Sequence, residues 1–597
     1  MKKINQPSEQ IVSGHKMWLQ LILLICFCGL STACFSVEVS GELKLWHKVT
    51  VTYASSDVYS ETGSPNPFTD RRLDVVFTNG DKSYAVAGFF AANGDAANTD
   101  SSEGKVWKAH FTPDKVGTWN YFGKFYCGNG IAAADNPGKP FDTFSGSFDV
   151  EATDKTGRDF RGKGILRYVE KRYPRFDNGS YFVKAGAGDP ENLLSIGDFD
   201  NTTDPKHDYN EHERDWNSGD PTWAGGKGKN IIGLMNYLSQ QGCNTQYFLL
   251  WTGGDDKRVW PWISADDYLR YDVSKLEQWE ILFSHMTSKG IHLHMFFHEE
   301  EVDMVLNSGN LGVETKVYFR EMLARFGHHN ALTWNLGEEI NRGLSFQGGK
   351  DPSPDQIKSW ADYISKLNVY EHPVGAHTYP PKTQELYRPL LGHKTFFAAT
   401  LQTSEDLDRV YVEVEEWVKK SKNSGFPWLV SNDEQGGVRT GIDPKSSRMT
   451  EYRRKVLWGS LMAGGWGVEY YFGKEGASVN DFRGYEQAWN EAGYATGFFM
   501  DHVPFWKMEP DNDLVSAGWC LAWPGHAYVI YLENGGSTTL DVGPDNVSVG
   551  VKWFNPGTGE GLQNGSVTEL NGSGGLSIGD PPSEQSQDWV VLVKSFD

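Results

Sequence analysis

The feature that most constrains this chain is a regular alternation, between residues 181 and 472, of short apolar runs with longer amphipathic stretches. Tyr181 to Ala187, Thr245 to Trp251, Ile291 to Phe297, Ala331 to Leu336, Val374 to Thr378, Thr395 to Leu401, Trp428 to Ser431 and Gly467 to Phe472 each read as a strand. Near-continuous apolar strands mark parallel sheets covered on both faces. Asn230 to Gln240, Val273 to Lys289, Val313 to Phe326, Pro354 to Leu367, Leu407 to Ser421 and Arg453 to Ala463 read as the helices. Eight strands alternating with helices predict an α/β fold, a (β/α)8 TIM barrel, with its site on the loops that follow the strands.

The flanks follow a different rule. From Val37 to Ala152 short runs broken by Gly, Asp and Asn (Leu43 to Tyr53, Leu73 to Phe77, Ala85 to Ala91, Val106 to Phe111, Gly117 to Tyr121, Phe148 to Val150) predict a β-sandwich over residues 35–155. The barrel then occupies 156–505. Beyond Pro504, runs such as Leu514 to Trp523, Ala527 to Glu533 and Trp589 to Val593 predict a second, smaller sandwich over 506–597. Residues 1–34 read as a signal peptide: Lys2, Lys3 and Lys16 precede an apolar run, Met17 to Leu30, too short to span a bilayer. Ser31 and Ala33 suit cleavage before Cys34, and the same cysteine resembles a lipoprotein box. The expectation is an exported protein, secreted, periplasmic or held at the cell surface through a lipidated Cys34. Cys127, Cys243 and Cys520 are too far apart for a disulfide framework or a metal-site spacing, so neither metal nor organic cofactor is predicted. A net charge of -22 argues against nucleic acid as a partner.

Chemistry gathers where strands four and seven end. One runs into Glu338-Glu339, the other into Asp433-Glu434 followed by Gly436-Gly437. Ionised carboxylates beside such apolar strands carry a desolvation cost and need a partner or a purpose. Two strand-end acids on one sheet are what glycoside hydrolysis requires, one to protonate the leaving oxygen and one to attack the anomeric carbon or activate water. Asn335, His298, His377, Tyr379, Asp189 and Glu469 lie on or just after other strand ends and are expected to contact the substrate. Trp251 and Trp466 are expected stacking platforms. Glu299 to Glu301 read as a solvated helix start. Lys227, Lys229 and Arg258 sit in long loops of an acidic chain and hint at a sulfated or carboxylated glycan, such as an anionic galactan. The run Gly225-Gly226-Lys227-Gly228-Lys229 is no phosphate loop, because no Ser or Thr follows the lysine.

The stretches Trp334-Asn335-Leu336-Gly337-Glu338-Glu339, Asp433-Glu434, Leu457 to Gly467 and Trp553-Phe554-Asn555-Pro556-Gly557-Thr558-Gly559 carry a resemblance. The layout resembles the clan A glycoside hydrolases, and more closely the group with an N-terminal β-sandwich, an apiosidase-like barrel and a C-terminal sandwich of the collagen-binding type. The resemblance implies retaining hydrolysis of a polysaccharide or oligosaccharide. It implies Glu339 as acid/base and Glu434 as nucleophile. Glu338 departs from the asparagine usual in the clan, so its part beside Glu339 stays open, as does that of Asp433 beside Glu434. Glu339 is expected to be protonated at rest through burial and the charge of Glu434. The alternatives are a carbohydrate-binding surface lipoprotein without catalysis, and a lyase that abstracts a proton with Tyr or His.

Overall fold

The computed structural model describes residues 37–254, 258–436, 440–473 and 478–595, so the expected signal peptide and Cys34 lie outside the described residues. Seven strands come first: β1 (Val37–Gly41), β2 (Val49–Ser60), β3 (Arg71–Asn79), β4 (Lys82–Phe90), β5 (Glu103–Phe111), β6 (Gly117–Cys127) and β7 (Asp142–Val150). They form one antiparallel sheet in the order β1-β2-β5-β4-β3-β6-β7. The sheet folds over on itself, which makes it a sandwich. Phe77 of β3 stacks on Phe111 of β5 with ring centroids 4.2 Å apart, and Trp107 of β5 meets Phe125 of β6 edge-on at 5.0 Å. Alternating residues of each strand supply this core, as a half-buried sheet demands. The strand expected from Leu43 starts later, at Val49. Leu43 and Trp46 take left-handed φ values of 51° and 66°, which turn the chain between β1 and β2.

A short ribbon, β8 (Leu166–Arg167) with β9 (Arg175–Phe176), leads into the barrel. Its strands are β10 (Lys184–Ala187), β11 (Thr245–Leu249), β12 (His292–Phe296), β13 (Leu332–Asn335), β14 (Val374–His377), β15 (Ala398–Thr403), β16 (Leu429–Gln435) and β17 (Gly467–Tyr470). All pair in parallel and in chain order, and β10 closes the ring by pairing with β17. Helices Val273–Lys289, Val313–Phe326 and Pro354–Leu367 have the limits that their sequence predicts, because local chemistry fixes their ends. Asp272 caps the first by accepting from the Lys275 N–H. Ser353 and Gln356 form a capping box around Pro354 in the third. The helix read from Arg453 to Ala463 differs: a π-helical turn, Tyr452–Trp458, lies between two short α-helical turns. From that turn Arg453 reaches the last domain, where Nε lies 3.0 Å and Nη2 2.7 Å from the carboxylate of Asp588.

The C-terminal domain holds β18 (Glu509–Pro510), β19 (Trp519–Trp523), β20 (Ala527–Leu532), β21 (Thr539–Asp541), β22 (Val547–Phe554), β23 (Glu569–Gly572), β24 (Gly575–Ser577) and β25 (Trp589–Lys594). A six-stranded sheet, β18-β19-β20-β25-β22-β23, packs on the pair β21-β24 through Leu540, Val551, Trp553, Trp589 and Val591. The strand expected from Leu514 begins at Trp519, since Asn512–Leu514 is a 3-10 turn. Strands β23 and β24 are short and glycine-containing, and carry no alternation that would reveal them. Among the described residues no helix is long and apolar enough to cross a membrane.

The barrel interior is polar at its centre. The Lys184 ammonium lies 2.8 Å from Asp433 Oδ1 and 2.9 Å from Glu469 Oε2, and all three side chains are fully buried. Glu469 also takes a 2.7 Å contact from His294 Nδ1 and a hydrogen bond from the Thr245 hydroxyl. Gly467 makes room for the lysine, because a Cβ there would sit 2.2 Å from Lys184 Cγ. Removing one member of a buried ion cluster strands the charges that remain. Lys184→Met is therefore expected to lower the unfolding free energy by about 3–5 kcal/mol, read from the denaturant midpoint. A midpoint unchanged from wild type would refute the role given to this cluster.

Candidate active site

Strand β13 is buried throughout, with Trp334 stacked 5.1 Å from Phe297, and the chain leaves it through Leu336 and Gly337. Neighbouring strand ends then hold the turn: the Glu338 N–H donates to the His298 carbonyl at 2.9 Å, and the Glu339 N–H to His377 Nδ1 at 3.3 Å. Glu339 has a φ of 37°, a left-handed conformation that residues with a side chain rarely hold without support. That turn brings both Glu338 and Glu339 to the wall of one cavity.

Strand β16 reaches the same cavity through a bulge. Leu401 pairs with Asn432 but Gln402 pairs with Glu434, so Asp433 is an extra residue in the strand. Asp433 turns into the barrel, toward Lys184 and the Ser431 hydroxyl at 2.7 Å. Glu434 stands at the cavity opposite Gln402, whose amide donates to its Oε1 at 2.7 Å and to the Gly436 carbonyl at 2.9 Å. His377 Nε2 lies 3.6 Å from the other oxygen of Glu434.

The cavity encloses about 510 Å³. Glu191, Glu299, Glu300, Glu301, Glu338, Glu339, Glu405 and Glu434 line it, together with Tyr379, Gln402 and Tyr471, and Arg342 is the one cationic wall residue among the described residues. The run Glu299 to Glu301, expected to be solvated, is instead folded into this wall. Glu299 accepts from the Gly253 N–H, and Glu300 Oε1 accepts from Arg342 at 2.8 Å. Arg342 also pairs with Glu339.

Burial is the main cause of every shift here. It pushes the carboxyls of Glu338 and Glu434 well above the ordinary range. Glu300 and Glu339 add to the rise of Glu338, and Glu339 to that of Glu434. Glu339 is raised to about 7 by burial and then by Glu300, against the pull of Arg342. The neighbour expected to raise it was Glu434; Glu300 takes that part. Burial holds the His377 imidazole down to about 3, so it is neutral. Its Nδ1 accepts from the Glu339 backbone, which leaves the Nε2 proton facing Glu434.

Of the residues expected at the site, the structure brings Glu338, Glu339, Glu434, His377 and Tyr379 together. Others lie elsewhere. Asn335 is inside the barrel, donating to the Thr400 hydroxyl at 2.8 Å, and Asp433 and Glu469 belong to the lysine cluster. Trp251 packs edge-on against Trp262 at 4.7 Å, and Trp466 lies under the Lys184 ammonium at 4.9 Å, so both rings are core. His298 sits behind Glu338 against Trp360. Asp189 accepts from the Phe472 N–H at 3.1 Å, next to Tyr471 in the cavity wall. Lys227 pairs with Asp200 at 3.4 Å and Arg258 with Asp204, and neither lines the cavity. Gln402, Glu191, Arg342 and Tyr471 carry no sequence pattern that separates them from other loop residues. Two sets, Glu338-His377-Glu434 and Glu299-Glu300-Glu301, place one polar atom per residue within 4.8 Å of one another and could hold a hard cation.

These acids make stability depend on pH. A carboxyl whose folded pKa lies above the ordinary 4.5 binds more protons folded than unfolded. Folding stability therefore falls as pH rises from that ordinary value toward the folded one, about 7 for Glu339. The thermal midpoint should drop between about pH 5 and about pH 7.5. Glu338→Gln, which cannot ionise, should flatten the drop. Equal slopes for the two proteins would count against a buried, proton-binding Glu338.

A family model described as a domain of unknown function (DUF5060) matches residues 42–126, within the N-terminal sandwich. No curated protein matches the chain. Among solved structures, a candidate glycoside hydrolase from Bacteroides vulgatus is similar with a TM-score of 0.59 at 13% identity, over 92% of this chain and 99% of that one. A glycoside hydrolase of family 5 from the same bacterium reaches a TM-score of 0.51 at 15% identity, over 74% and 95% of the two chains. A further structure described as a glycoside hydrolase also reaches 0.51, at 14% identity, over 74% and 99%. What this chain shares with them is the fold, a closed parallel barrel accompanied by β domains.

Proposed function

We propose that this chain is a retaining glycoside hydrolase acting on a neutral polysaccharide or oligosaccharide, with Glu434 as nucleophile and Glu339 as acid/base. One observation carries the reading: carboxyls from the ends of the fourth and seventh barrel strands face one cavity, and the Gln402 side chain holds that of the seventh. In the first half-reaction Glu339 gives its proton to the leaving oxygen while Glu434 attacks the anomeric carbon. Water, deprotonated by Glu339, then releases the sugar with its configuration retained. A carboxyl near 7 is suited to both duties at neutral pH. The names of the solved structures of similar fold agree with this class. The finer kinship, to the apiosidase-like group with a collagen-binding type of C-terminal domain, rests on the sequence motifs.

The wall favours an uncharged substrate. Among the described residues eight glutamates line the wall with one arginine, so it offers a sulfate or carboxylate little positive charge. The anionic galactan suggested by Lys227 and Arg258 loses its support, because both cations are already paired outside the cavity. Export through the N-terminal segment, with or without lipid on Cys34, belongs to the same proposal and rests on the sequence.

The test is product release from a panel of neutral and sulfated polysaccharides. Glu339→Gln and Glu434→Gln should each lower kcat/KM by about 100-fold or more, and Glu338→Gln by less. NMR of the first product should show the anomer of the substrate. Activity that survives Glu339→Gln but not Glu338→Gln would move the acid role by one residue. Binding without cleavage on every glycan would leave a carbohydrate-binding protein.

A further inference from the structure

Gln402 is a cavity side chain whose hydrogen bonding is fixed on one side and open on the other. The bulge at Asp433 sets it directly across from Glu434. Its Nε2 has two protons, and both are committed: one to Glu434 Oε1 at 2.7 Å and one to the Gly436 carbonyl at 2.9 Å. The Gly436 carbonyl can only accept, so turning the amide around would face oxygen with oxygen there. Its carbonyl oxygen, Oε1, is thereby directed away from them. That oxygen is buried and has no hydrogen-bond partner, although Gln402 is 3% exposed and lines the cavity. A buried acceptor left without a donor is costly in a protein of ordinary design.

We infer that Gln402 positions the nucleophile and, through this open Oε1, accepts a hydrogen bond from a hydroxyl of the sugar bound against Glu434. The inference rests on the reading of Glu434 as nucleophile. The two halves of the amide act together. A sugar hydroxyl that donates to Oε1 polarises the amide and strengthens the N–H bond to Glu434, so filling the site steadies the attacking oxygen. The amide N–H also favours the ionised form of Glu434 against the burial that opposes it.

Dinitrophenyl glycosides of glucose, galactose and mannose separate this role from that of Glu339, because their leaving group needs no proton. On whichever of them wild type cleaves, Glu339→Gln should keep its burst of dinitrophenolate and Glu434→Gln should lose it. Gln402→Leu should slow the burst about 10- to 100-fold, the loss expected for a hydrogen bond to a charged group. Its acid limb should move to higher pH, since Glu434 loses the donor that favours its anion. Gln402→Glu, which can donate only while protonated, should retain more activity than Gln402→Leu below neutrality and lose it as pH rises. A cooperative thermal unfolding transition in both variants excludes collapse of the site as the cause. A wild-type burst rate and pH profile in Gln402→Leu would overturn the inference while leaving the enzyme reading intact. A wild type as inert as Glu434→Gln on every glycoside and glycan would overturn both.

Discussion

The structure depends on one positive charge shut inside the barrel. The Lys184 ammonium on the first strand is held by Asp433 on the seventh and Glu469 on the eighth, all without solvent. These strands meet where the ring closes, so the cluster fixes the seam between the two ends of the barrel. Buried ion clusters contribute little net stability, because desolvation offsets most of the attraction. This one acts on register. A slip of one residue along β16 would turn Asp433 to the cavity and Glu434 to the lysine, exchanging the two acids that the active-site reading must keep apart. The bulge reinforces the choice by giving consecutive acids different surroundings. Asp433 lies beside a cation and a hydroxyl, and Glu434 lies across from an amide.

Above that seam the cavity collects more carboxyls than it can ionise. Each buried glutamate is desolvated, and the charge of one discourages the ionisation of the next. The outcome is a wall that holds protons near neutrality. Protonated carboxyls donate as well as accept, so this wall can offer a ligand both kinds of hydrogen bond. The neutral His377 fits the same scheme, since a charged imidazole there would pin Glu434 as an ion pair.

Much of this was legible in the sequence, and the reasons for success and failure differ by residue. Strands and helices of the barrel announce themselves because parallel strands are apolar throughout and helix ends carry caps such as Asp272 and Ser353. The doublets Glu338-Glu339 and Asp433-Glu434 stand out because acids rarely border such strands. Sequence could not tell that Asp433 turns inward, because one bulge decides it. The run Glu299 to Glu301 resembles any solvated helix start, and only the closeness of Gly253 and Arg342 shows it as a wall. Trp251 and Trp466 illustrate the converse. Aromatic rings suit sugar and core alike, and here the core took both. Gln402 gave no signal, since a single glutamine at a strand end acquires meaning only from what stands across the sheet.

Glu339 is where these constraints meet. On the proposed reading it first gives a proton and then takes one back, so its acidity bears on both steps. Its two charged neighbours pull in opposite directions: Glu300 raises its pKa and Arg342 lowers it. Between them the carboxyl is held near neutrality, at about 7. Arg342 also bonds to Glu300, so the same guanidinium anchors the carboxyl that works against it. The left-handed turn at Glu339 keeps the side chain between these two neighbours, so the strained backbone helps set the acidity of the carboxyl.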